Sequence, residues 1–135
     1  MKRVLSAGAL ALLLSGGAAL AQAPVTNVRS VQDLAAVCDP GWSGVPRFEA
    51  IAFCQGFLTS AGQYHALLHR PQGNGRPIFC APNPGPSIAE SGLAFANWAR
   101  ANPDRAQDPA LEGFLRWGQA SFPCPTPARA SRAQR

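Results

Sequence analysis

The chain has 135 residues, enough for one domain. Its formal charge of +5 gathers at the ends, because residues 22–128 hold seven arginines against seven carboxylates. A near-neutral body gives no support to nucleic-acid binding, and seven scattered acids give no sign of a paired-carboxylate hydrolase.

Lys2 and Arg3 precede an apolar run from Val4 to Leu14, then small residues. That is the layout of a secretory signal peptide rather than a membrane span. Two cleavage sites overlap, after Ala21 and after Ala23; Pro24 beyond the second disfavours it, so residues 1–21 are expected to leave. No later apolar stretch is long enough to cross a bilayer, so no membrane insertion is expected after cleavage.

Ser30-Val31-Gln32-Asp33 reads as a capping box with Asp in place of Glu, opening a short helix through Val31, Leu34, Ala35 and Cys38. Asp39-Pro40-Gly41 ends it. Residues 47–70 carry the longest helical pattern, with Ile51, Cys54, Leu58, Ala61, His65 and Leu68 on one stripe and Phe53, Phe57 and Tyr64 beside it. So wide an apolar face predicts a central helix covered on more than one side, with Gly56 a site of close helix approach. Pro71 stops it.

Residues 70–86 hold five prolines and three glycines, which exclude regular structure and predict a functional or mobile loop. Ser87-Ile88-Ala89-Glu90 is a full capping box for a helix through Ile88, Phe95, Trp98 and Ala99, ending near Arg100. Asn102-Pro103-Asp104 breaks it. Asp108 is the expected N-cap of a last helix with Pro109 in its first turn and Leu111, Phe114, Leu115, Gly118 and Phe122 on one face. With no strand-like alternation, the fold class is all-α: a small domain of four main helices over residues 22–127, followed by a disordered basic tail at 128–135.

Export makes disulfides the expected state of Cys38, Cys54, Cys80 and Cys124, since tight Cys pairs or adjoining His, as a metal site needs, are missing. Four cysteines allow three pairings. Short turns between antiparallel neighbours favour Cys38–Cys54. A hairpin of the last two helices brings Cys80 to Cys124.

The chemistry is sparse. His65 and His69 stand at i and i+4, but Ala66, Leu67 and Leu68 lie between them, so no H-E-x-x-H metal site forms and a bystander role is expected. No nucleophile sits in a recognisable turn, and Gly73-Asn74-Gly75 is a plain turn rather than a phosphate loop. Trp42, Trp98 and Trp117 lie on helical stripes where core or interface positions are expected. No enzyme activity, cofactor or metal is expected.

Five ordered segments carry a resemblance: L-A-A-V-C at 34–38, F-C-Q-G-F-L-T-S at 53–60, F-C-A-P at 79–82, W-A-R-A-N-P at 98–103 and A-S-F-P-C at 120–124. Order and spacing over about ninety residues resemble the Rap/Tai family of immunity proteins from type VI secretion systems. The departures are Asn102, where His is common, and the Pro/Gly-rich stretch around Cys80. The resemblance implies a small periplasmic all-α protein, often a homodimer, that binds a peptidoglycan-cleaving amidase effector and occludes its cleft without chemistry. Contact candidates are then Asn74 and Arg76 in the long loop and Asn102, Asp104 and Arg105 in the turn, the arginines pairing with carboxylates near the effector's cleft. Two other readings remain: a non-catalytic periplasmic chaperone, and an orphan accessory protein of the same fold.

Overall fold

The structure, a computed structural model, describes residues 27–42, 46–70 and 75–125. The expected signal peptide at 1–21, the tail at 128–135 and Asn74 lie outside the described residues. Four α-helices follow in order: α1 Val31–Cys38, α2 Arg47–Leu68, α3 Ile88–Ala101 and α4 Ala110–Ser121. Short 3-10 turns sit at Pro40–Trp42 and Pro103–Arg105.

Both capping boxes form. The Ser30 hydroxyl accepts from the Asp33 amide at 3.2 Å, and the Asp33 carboxylate accepts from the Ser30 amide at 3.0 Å. Ser87 and Glu90 repeat the exchange at the head of α3. Burial pushes the Asp33 carboxyl up, but the Ser30 and Arg29 hydrogen bonds outweigh it and leave the group below its ordinary range. Two further donors at the start of α1 are satisfied from outside: Val31 N–H donates to the Asp108 carbonyl and Gln32 N–H to the Ala106 carbonyl. In return Ala110 N–H donates to the Arg29 carbonyl, so the first turns of α1 and α4 are laced together.

That lacing corrects one expectation. Asp108 does not cap α4; Pro109 holds the cap position and makes no side-chain cap bond. The backbone of Asp108 is turned to α1, and its carboxylate faces Arg105 at 3.4 Å.

The centre of the molecule is also not the expected one. The eight-residue α1 packs on α2, α3 and α4, and contributes Val31 and Leu34, both fully buried. The long α2 buries only Ala50, Cys54, Leu58 and His65. At 22 residues it is about 33 Å long and outreaches its neighbours. Its far end is uncovered except at His65: Tyr64 is 59% exposed and Leu68 52%, and Phe48 near its start is 90% exposed. The broad face is therefore covered on one stripe, with Phe53 and Phe57 at the edge of the core.

Close helix approach occurs at other glycines. A Cβ at Gly56 would meet nothing within 4 Å, whereas one at Gly92 would lie 3.0 Å from Cys54 Sγ and one at Gly113 only 2.1 Å from Val31 Cγ2. These two glycines let α3 and α4 lie against the α1–α2 pair. Disulfides join Cys38 to Cys54 and Cys80 to Cys124, the pairing that the short connections favoured. Around them Phe95, Phe114 and Trp117 fill the core, with Trp117 packed edge-on to Phe95 and Phe122.

Candidate partner-binding surface

The described part of the long loop is anchored by its one apolar pair. Ile78 N–H donates to His65 Nε2 at 3.1 Å. Phe79 stacks on the His65 ring, with centroids 4.0 Å apart and planes 14° from parallel. On its other side Phe79 meets Phe114 edge-on and covers Gly118, where a Cβ would come within 2.7 Å of its ring. One residue later Cys80 N–H donates to the Phe122 carbonyl, beside the disulfide to Cys124. Residues 78–80 are thus fixed to both α2 and α4, and Arg76, exposed, stands just outside the fixed part.

His65 is therefore a buried structural acceptor, not the bystander that its spacing suggested. Burial, and secondarily the neighbouring His69, hold its pKa below the ordinary imidazole value. The signal for this contact lay in the loop rather than in the histidine pair: Ile78-Phe79 is an apolar dipeptide in a Pro/Gly stretch, and such a pair needs a surface to cover.

The second candidate segment is built differently. Asn102 ends α3; its side-chain amide donates to the Trp98 carbonyl at 2.8 Å, and its carbonyl accepts from Arg105 N–H. Arg105 lies 3.4 Å from the carboxylates of both Asp104 and Asp108. Its charge is already answered within the turn, so it has less to offer a partner's carboxylate than Arg76 has. Asp104 is exposed.

Asn102, Asp104 and Arg105 are brought together at the start of α4, beside the α1 entry, while Arg76 belongs to the segment at the end of α4. The helix between them, 12 residues long, spans about 18 Å.

The described residues also form two concave surfaces. A groove of about 560 Å³ is lined by Phe53, Gly56, Phe57, Ser60 and Tyr64 of α2 and by Leu111 of α4. A cleft of about 270 Å³ lies over the Cys38–Cys54 bridge, with Asp39 and Arg47 among its polar lining. Among the described residues no group of three His, Cys, Asp or Glu is placed to hold a metal ion.

Four helices joined by two disulfides, with a long loop and a tight turn at opposite ends of α4, define a class of small, disulfide-stapled helical domains. Residues 30–124 match the sequence profile of the Rap1a immunity proteins, and the chain belongs to that family. The match runs from the Ser30 cap to the last disulfide cysteine, the same span as the laced and bridged body. No match was found among curated proteins or solved structures.

Proposed function

We propose that this chain is a periplasmic immunity protein that binds a type VI secretion peptidoglycan amidase effector and inhibits it by occupying its cleft. Family membership over residues 30–124 carries the reading. The apolar leader at 1–21 supports export, and no helix among the described residues is long and apolar enough to cross a membrane. Blocking a cleft without chemistry calls for a contact element that loses little freedom on binding. The segment at 78–80, held by His65, Phe79 and the Cys80–Cys124 bridge, has that character and carries the exposed Arg76 just ahead of it. Arg76, with Asn74 before it, is the first contact we assign; Asn102, Asp104 and Arg105 are the second. The α4 span of about 18 Å lies within the reach of one interface burying about 800 Å² per partner.

The test is co-expression with periplasm-directed amidase effectors, read as suppression of lysis and recovery of a complex. Neutralisation of at least one effector is expected, with Arg76→Glu weakening the complex about tenfold or more and Arg105→Ala changing it less. If no effector is bound or neutralised, the immunity reading fails for this chain.

The exposed Phe48, Tyr64, Leu67 and Leu68 favour a second reading, a non-catalytic periplasmic chaperone or accessory protein. That reading requires suppressed aggregation of unrelated unfolded proteins and no effector neutralised. An immunity homodimer would instead cover part of this apolar face with a second copy.

A further inference from the structure

His65 accepts the Ile78 N–H through Nε2, and an imidazole nitrogen can accept only while it is unprotonated. A proton on that atom turns the acceptor into a donor and sets it against the amide. The same ring is nine-tenths buried, so the charge would also be poorly solvated. We infer that His65 is a pH-responsive positioning residue: neutral, it pins the Ile78 amide and so restrains the preceding residues 75–77, Arg76 among them; protonated, it frees them, while Phe79 and Cys80 stay anchored. The device goes beyond the proposed partner binding, and only its consequence for Arg76 rests on that reading.

The surroundings of His65 decide the direction. From its own helix, His69 faces it at 4.7 Å between ring centroids, and a charge on either ring opposes one on the other. Nδ1 of His69 is itself buried without a hydrogen-bond partner, beside Gly75. The 78–79 segment brings the Ile78 amide and the Phe79 ring, and α4 brings Phe114 and Gly118 against the far side of Phe79. None of these contacts is a carboxylate that would hold a proton on His65. The face of Phe79 favours a cation, but burial and His69 prevail and the pKa is depressed. Since the folded pKa lies below the unfolded value of 6.5, the pin is complete above that pH. It is lost as pH falls through the lower folded value.

Proton–nitrogen NMR of the free mature protein, followed from about pH 8 to about pH 5, tests this without any partner. The His65 ring and the Ile78 amide are expected to shift together with one midpoint below 6.5. Ile78 amide protection, corrected for intrinsic exchange, should fall about tenfold or more through that midpoint while the helical signal persists. His69→Gln should raise the midpoint by removing the opposing ring. His65→Gln offers an acceptor that does not titrate, and should keep Ile78 protected at every pH. If His65→Gln fails to fold, the wild-type and His69→Gln titrations decide. A midpoint at or above the ordinary value, Ile78 protection indifferent to His65 titration, or a midpoint unmoved in His69→Gln overturns the inference. Effector binding enters none of these readouts, so failure here leaves the immunity reading standing, and the reverse holds too.

Discussion

Gly113 carries a hydrogen atom where any other residue would place a β-carbon. Its missing side chain is occupied by Val31, which is fully buried and has no room to retreat. Alanine there gains up to about 1 kcal/mol in helix propensity. It also forces apart a contact at 2.1 Å, against an overpacking cost of about 1–3 kcal/mol that the closeness pushes to the upper end. The clash prevails: Gly113→Ala is expected to lower stability by about 2 kcal/mol and Tm by roughly 10 °C, checked by thermal unfolding. An unchanged Tm would mean that α1 and α4 slide apart without cost. At Gly118 the obstructing group is the Phe79 ring, so the same substitution pushes on the 75–80 segment rather than on the core.

At the scale of the element, α2 shows how periodicity can mislead. Its stripe of apolar residues is real, but cover comes only to the part that faces α1, α3, Phe114 of α4 and the 78–79 segment. Gly56 lies on the uncovered side, in the lining of the groove. Gly56→Ala is therefore expected to raise stability by up to about 1 kcal/mol, measured by urea unfolding. Gly56→Trp fills the groove without touching the core. Where a second copy covers this face, sedimentation will show the tryptophan variant dissociating more readily than the wild type. An unaltered mass distribution removes the groove from any homodimer.

For the whole molecule the two disulfides are a major source of cohesion. Their separations of 16 and 44 residues give roughly 3 and 4 kcal/mol on chain-entropy grounds, large beside a net stability of about 5–15 kcal/mol. Entropy alone ranks Cys80–Cys124 first. Burial ranks them the other way, because Cys38 and Cys54 lie in the core against Gly92, whereas Cys80 and Cys124 are only half-buried. Replacing Cys38 and Cys54 by alanine also leaves a cavity, and large-to-small core changes cost enough to offset the difference of about 1 kcal/mol. The Cys38→Ala/Cys54→Ala protein is thus expected to lose at least as much unfolding free energy in urea as Cys80→Ala/Cys124→Ala. A clearly larger loss from the second pair would place loop entropy above packing.

What the sequence determined by itself was the set of helices, the capping boxes of α1 and α3, both disulfide pairs and, through the ordered cysteine segments, the family. These rest on interactions within a turn or across a short connection: Ser30 with Asp33, Ser87 with Glu90, and a hairpin of known length between Cys80 and Cys124. Arg76 and the Asn102–Arg105 turn could be named as exposed loop chemistry, but not ranked. Only the fold shows that Asp104 and Asp108 already neutralise Arg105 and that the two segments stand at opposite ends of α4. Tertiary structure likewise decided that the short α1 is the hub, that Gly92 and Gly113 rather than Gly56 admit a neighbour, and that His65 holds the loop. The reason is common to all of these. A glycine or histidine on a helix carries the same local signal whichever way it faces, and its role is set by which distant residue packing brings against it.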